Sequence, residues 1–183
     1  MFEPGKIIKT CTSRKGKEIV IRYPQWEDLN EMLRFINELS AEDTYITYSG
    51  ETISKDEEID WLAKVLKDLE KKNGSFIYAF DGKIMVGSCA VSRREKRKEH
   101  VGRIGISVAK EYREEGVGAA LFETILSEAK DLGFTIVDLE VYGTNDRAYN
   151  LYKKFGFIEA GRAPGMVRYK DSFLEEIWMY KSL

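Results

Sequence analysis

The residues of this chain best suited to chemistry are an arginine and two glycines, Arg113-x-x-Gly116-x-Gly118, where an apolar run gives way to a long amphipathic stretch. Glycine lacks a Cβ, so its backbone can come close to a ligand and adopt φ > 0. Where such a segment enters a helix, successive N–H groups point outward at the positive end of the helix dipole, which favours an anion. Arg113 adds a charged donor, and the chemistry the pattern suits is the holding of a phosphate. A glycine pair alone also fits a plain strand-to-helix turn, and two other phosphate motifs fit less well. A P-loop requires Gly-Lys-Ser/Thr, whereas Gly118 is followed by Ala119-Ala120. A dinucleotide fingerprint requires a small residue where Leu121 stands and a first glycine close behind a strand, although Glu140 at the next strand's end would suit a ribose contact.

The elements that must position this loop can be read on both sides of it. Val101 to Val108 reads as a strand, and Gly116 to Leu132 as an apolar-striped helix closed by Gly133. Ile136 to Val141 is a strand, and Asn145 to Phe155 a helix with Ala148, Leu151, Tyr152 and Phe155 on one face, ended by Gly156. Strands at Phe157 to Ala160 and Leu174 to Tyr180 follow. Upstream, Glu18 to Tyr23 is a strand stopped by Pro24, and Trp26 to Leu39 carries helical apolar spacing. Ser54 and Glu57 form a capping box ahead of a helix striped by Ile59, Leu62, Val65, Leu66 and Leu69. Ser75 to Phe80, Asp81-Gly82 and Ile84 to Val91 read as a hairpin. The order β-α-α-β-β-β-α-β-α-β-β implies an α/β (α+β) mixed sheet of about seven strands, mostly antiparallel, flanked by four helices. Residues 1–16 read as a loose N-terminal segment and 17–183 as a single domain.

Composition narrows the function classes. With 43% hydrophobic and 33% charged residues, 183 residues suffice for a continuous core. A net charge of -2 lacks the basic excess of a general nucleic-acid binder, and the mixed run Arg93 to Glu99 reads as a solvated turn. No apolar run reaches the roughly 20 residues that span a bilayer, so no membrane partner is expected and the chain reads as cytoplasmic. Cys11 and Cys89 suggest no disulfide framework, and with His100 as the one histidine no metal site is expected.

Beyond the glycine loop, Leu139-Glu-Val, Asn145-x-x-Ala148 and Leu151-Tyr152-x-x-Phe155-Gly156-Phe157 follow at fixed distances. Together with Arg113-x-x-Gly116-x-Gly118 they resemble the GNAT superfamily of N-acetyltransferases, and the element order agrees with that fold. The resemblance implies acetyl-CoA as co-substrate, held by Ile106, Ser107 and Val108, by the loop Arg113, Glu114, Glu115, Gly116, Val117, Gly118 and Ala119, and by Asn145 and Tyr152. The strand at Ile106 would bulge and splay from the one at Ile136, opening a slot for the pantetheine arm. One departure is Arg113-Glu114-Glu115-Gly116 where many members have Arg-Gly-Arg-Gly, so two carboxylates stand near a pyrophosphate unless they turn to solvent.

Acetyl transfer requires a neutral amine, a donor for the developing oxyanion and an acid for the departing thiolate. By resemblance Tyr152 is the catalytic acid; as an isolated residue it would read as a core aromatic. Glu140 matches the position that is a base in some members and a water-positioning carboxylate in others. The partners implied are acetyl-CoA and an amine, and a homodimer is allowed. Tyr45, Tyr48, Phe173 and Trp178 are expected around the acceptor slot with few acids beyond Glu140, Glu175 and Glu176, which favours an α-amine over a polyamine. A polyamine acetyltransferase and a non-catalytic CoA-binding module are the alternatives.

Overall fold

In a computed structural model, residues 2–183 are described. Twelve elements matter here: β1 (Ile7–Thr12), β2 (Glu18–Arg22), α1 (Leu29–Ala41), α2 (Lys55–Glu70), β3 (Gly74–Asp81), β4 (Ile84–Arg93), β5 (Val101–Val108), α3 (Val117–Asp131), β6 (Ile136–Tyr142), α4 (Asp146–Lys154), β7 (Ile158–Tyr169) and β8 (Ser172–Ser182). The strands form one eight-stranded sheet in the order β1-β2-β3-β4-β5-β6-β8-β7. Every pairing is antiparallel except β5 with β6, the two strands joined through α3.

Helices cover both faces of this sheet. On one face α3 and α4 bury Leu121, Phe122, Ile125 and Tyr152, with Phe157 just beyond α4, against Cys89, Val91, Ile104, Leu139 and Val141. On the other, α1 and α2 bury Met32, Phe35, Leu39, Leu62 and Leu66 against Tyr78, Phe80 and Met85. Strand β3 lies between the two layers, and its residues from Gly74 to Phe80 are all buried. That is why its sequence reads as a continuous apolar run without alternation.

Two local readings are corrected. Residues Ile7–Thr12, expected to be loose, form β1 on the sheet edge, paired with β2 from Thr12↔Glu18 to Ile7↔Arg22. The polar Lys9, Thr10 and Thr12 conceal it, because an edge strand needs only Ile8 and Cys11 packed on the core. The β3–β4 turn is centred one residue later than Asp81-Gly82, since Asp81 pairs with Ile84 and the turn is Gly82-Lys83, with Gly82 at φ 58°. The other caps follow the sequence. Ser54 and Glu57 close their capping box on α2, and Gly133 and Gly156 take positive φ just beyond α3 and α4.

Candidate active site

The site begins where β5 and β6 part. Their parallel pairing runs only from Val101↔Ile136 to Arg103↔Asp138, yet β5 continues to Val108 and β6 to Tyr142. The phase of the β4–β5 ladder is fixed at its two ends by Arg94 N–H donating to Val101 O and Ala109 N–H donating to Val86 O. Residues alternate along a strand, so the N–H groups of Ile104, Ile106 and Val108 point away from β4; the Arg103↔Asp138 pairing uses that of Ile104, and those of Ile106 and Val108 face the gap. Ser107 instead spends its N–H on β4. The expected splay is present. The expected bulge is not, because β4 and β5 keep one register from Arg93↔Gly102 to Gly87↔Val108.

The loop after β5 supplies a second set of donors. Gly116, at φ 90°, is the N-cap of α3, and Glu114 takes φ 64°. The N–H groups of Glu114, Glu115, Gly116, Val117, Gly118 and Ala119 meet no acceptor among the described residues. Such orphaned donors at a helix entry fit an anionic group. A Cβ on Gly118 would lie 3.6 Å from Val108 Cγ2 and 4.0 Å from Ile106 Cδ1. Packing therefore does not require glycine there; what its absent side chain leaves open is the surface beside Ile106 and Val108.

Arg113 is placed differently from the sequence expectation. Its Nε donates to Val108 O at 2.9 Å and its Nη2 lies 2.6 Å from Glu42 Oε2 at the end of α1. Its charge is answered within the protein, and the side chain ties β5 to α1. Of the two acids that follow, Glu114 is exposed. Glu115 does not turn to solvent. It pairs with Lys15 at 3.0 Å, its Oε2 is buried without a partner among the described residues, and its carbonyl accepts the Arg14 N–H at 2.9 Å.

Tyr152 stands on α4 among Phe122 and Phe157, with ring centroids 5.2 and 6.1 Å away, and is 6% exposed. Its hydroxyl has no hydrogen-bond partner among the described residues, and burial pushes the phenol up, with the Cys89 thiol adding to the shift. Cys89 is the residue of β4 opposite Ile106, and both pack in the same core cluster as Tyr152. Asn145 caps α4 by accepting the Ala148 N–H at 3.2 Å.

Glu140 lies on the other face of the sheet. Along β6, Val137, Leu139 and Val141 are buried toward α3, so Asp138, Glu140 and Tyr142 face away from it. Glu140 pairs with Arg103, and Asp138 binds Arg94 at 2.6 Å. Beyond them Tyr45 stacks on Tyr169 at 5.8 Å and meets the edge of Tyr142 at 6.1 Å. The Tyr169 hydroxyl donates to Asp43 O, and the Tyr142 hydroxyl to Ile46 O. Burial and the neighbouring Glu176 and Glu140 hold the Tyr142 phenol above its ordinary value. Tyr142 and Tyr169 were not singled out in the sequence; strand alternation with Glu140 is the signal that could have found Tyr142, and Tyr169 carries no such signal. Tyr48, Phe173 and Trp178 are exposed, with Phe173 71% exposed.

The remaining candidates fall outside the site. Arg93 donates to Glu99 O and Leu132 O, and Arg94 to Asp138, so both arginines turn back into the fold. Among the described residues no cluster of His, Cys, Asp or Glu could hold a metal, and no helix is long and apolar enough to cross a membrane.

A parallel pair that opens into a gap, beside a glycine-entered helix with orphaned N–H groups, defines the acetyltransferase class that the motifs suggested. The chain belongs to the Acetyltransferase (GNAT) family, whose sequence model matches residues 29–157. It is 30% identical over 160 residues to an N-alpha-acetyltransferase of Sulfurisphaera tokodaii, covering 80% of this chain and 84% of that one. It is 30% identical over 128 residues to the probable N-acetyltransferase camello of Xenopus tropicalis, covering 66% of this chain. The match spans 58% of the camello protein's length. Among solved structures, an acetyltransferase of the GNAT family from Streptococcus pneumoniae superposes with a TM-score of 0.82 at 24% identity, over 90% of this chain and 99% of that chain. The putative acetyltransferase yncA of Salmonella typhimurium, solved with its cofactor acetyl-CoA, gives 0.79 at 15% identity over 90% of this chain and 94% of that chain. At these identities the structural likeness concerns the fold.

Proposed function

We propose that this protein transfers the acetyl group of acetyl-CoA to an α-amine of an amino acid, small molecule or protein N-terminus. What supports the proposal is the parting of β5 from β6 after Arg103↔Asp138, which turns the N–H groups of Ile106 and Val108 into a gap beside the glycine-entered start of α3. Bound there, acetyl-CoA would supply an activated acyl carbon. The loop from Glu114 to Ala119 holds its pyrophosphate through backbone donors, and the β5 edge pairs with the pantetheine amides as a missing strand would.

The chain's own groups then divide the work. The N–H groups of Ile106 and Val108 stabilise negative charge gathering on the carbonyl oxygen. Tyr152 keeps its proton through the physiological range because burial raises it, and so can donate to the departing sulfur. A thiolate in the same apolar surroundings is raised too, which keeps the transfer near balance. Glu140, on the opposite face and anchored by Arg103, receives the amine's proton directly or through water.

The acceptor class follows from how the acids are already used. Glu140 is paired with Arg103, Glu175 with Arg162 at 2.9 Å, and Glu176 accepts from Trp178 Nε1 at 3.1 Å. Of the three, Glu140 and Glu175 are paired with arginines and Glu176 keeps its charge beside a neutral indole N–H, so one uncompensated carboxylate faces an acceptor where a polyamine needs several. An α-amine of pKa about 8 also needs less help losing its proton than an alkylamine near 10.4. That the Sulfurisphaera tokodaii relative is an N-alpha-acetyltransferase points the same way. Comparing kcat/KM for spermidine with that for free amino acids and short peptides tests this. Preference for unblocked N-termini is expected; preference for spermidine would overturn the acceptor assignment, and no thiol release with any amine would favour a CoA-binding module.

A further inference from the structure

The loop that receives the pyrophosphate is short of positive charge. It carries Glu114 and Glu115, and Arg113 is already paired with Glu42. Yet the cofactor ends in a 3′-phosphomonoester as well as a pyrophosphate, and a cation near the loop would be worth most there. The turn between β1 and β2 brings one. The β1–β2 turn, Ser13 to Lys17, lies against the loop through the Arg14 N–H bond to Glu115 O at 2.9 Å and the Lys15–Glu115 pair at 3.0 Å.

The cations of that region have distinct fates. Lys17 is bound to Asp81 at 2.7 Å and to the Tyr112 hydroxyl at 2.8 Å. Lys15 neutralises Glu115. Lys110 is unpaired but lies in the cleft against α1, beside Phe35 and Glu38. The Arg14 guanidinium is exposed and has no partner among the described residues, while its backbone is fixed to the loop. Resting on the acetyl-CoA reading above, we propose that Arg14 is a specificity residue for the 3′-phosphate of CoA, presented by the β1–β2 turn. Lys15 acts differently: by holding the Glu115 carboxylate it keeps that charge from the pyrophosphate. The turn thus replaces the cation that Glu115 displaces from the usual loop sequence.

The experiment measures acetyl-CoA and acetyl-3′-dephospho-CoA binding by calorimetry to the full chain, its Arg14→Gln variant and its Lys15→Gln variant. Glutamine keeps the backbone N–H, so the Glu115 contact and the fold should survive, and thermal denaturation checks this. The wild type should prefer acetyl-CoA by about tenfold, the size of one charge-assisted contact. Arg14→Gln should abolish that preference while leaving the dephospho analogue unaffected. Lys15→Gln should weaken both analogues alike. A wild type that binds both equally, or an Arg14→Gln variant that loses the same factor on both, overturns the proposal. Failure of the wild type to bind either analogue would instead remove the acetyl-CoA reading, and this inference with it.

Discussion

The guanidinium of Arg113 and the carboxylate of Glu42 lie 2.6 Å apart, joining the loop that enters α3 to the end of α1. Both side chains are about four-fifths buried, with exposures of 20% and 23%. An anion approaching the loop therefore competes with Glu42 for the same guanidinium. Replacing Glu42 by Gln should free that charge and tighten acetyl-CoA binding by roughly two- to fivefold at low salt, the scale of a partly exposed pair. The gain should shrink as salt is raised. Calorimetry at two ionic strengths checks both parts, and weaker binding in the Gln variant would mean that Arg113 serves only as a strap.

Tyr152→Phe separates catalysis from packing. The hydroxyl has no partner to lose and the ring packs on Phe122 and Phe157, so stability should change by less than about 1 kcal/mol. As the proton donor to sulfur, the hydroxyl should account for about 10²–10⁴-fold in kcat, with little change in the Michaelis constant for acetyl-CoA. Steady-state kinetics with the Phe variant decide the role, and an unchanged kcat would return Tyr152 to the core.

Glu140→Gln tests the other half of the proton path. If Glu140 receives the amine proton, kcat should fall by about 10²-fold or more while thermal stability changes little, because its exposed pair with Arg103 contributes at most about 1 kcal/mol. Loss of stability with intact kcat would assign Glu140 to the row of charges that also holds Asp138.

Legibility in the sequence divided along a physical line. Features written locally were readable: the glycine at the entry to α3, the Ser54–Glu57 box, the stripe on α4 and the Asn145 cap each depend on neighbours within a turn. The splay of β5 from β6 was accessible only through family resemblance. No spacing rule states that two strands stop pairing after Arg103 and Asp138. Partnerships across the fold were not readable either. Arg113 finds Glu42 on α1, Glu140 finds Arg103 on β5, and Glu115 finds Lys15 on the β1–β2 turn. In each case sequence shows the charge but not its counter-charge. The β1 strand was missed because an edge strand with polar alternation satisfies few core contacts and resembles a surface loop.

Away from the site, Glu58 links stability to pH. It sits in the first turn of α2, 5% exposed, and burial pushes its carboxyl up to about 7 from an ordinary 4.5. A folded-state value above the unfolded one means that the folded protein binds this proton more tightly. Its contribution to stability is therefore greatest below about pH 4.5, declines as pH rises and is lost above about 7. Glu58→Gln should raise the melting temperature at pH 8 by several degrees and leave it nearly unchanged at pH 4. Differential scanning calorimetry at the two pH values checks the sign, and an equal shift at both would remove Glu58 as the titrating group.

In the proposed reaction the orphaned N–H groups at the entry to α3 receive the pyrophosphate of acetyl-CoA. Gly118→Asp addresses it directly. A Cβ at Gly118 would meet Val108 and Ile106 at ordinary contact distances, and an acid in the first turn of a helix favours the fold. The same carboxylate would stand against an incoming phosphate. Acetyl-CoA titrated calorimetrically into the folded Gly118→Asp protein should show binding weakened by at least about 100-fold, the loss expected when a like charge meets a buried phosphate contact, at an undiminished melting temperature. Unchanged affinity at an undiminished melting temperature would contradict the claim and move the cofactor away from this loop.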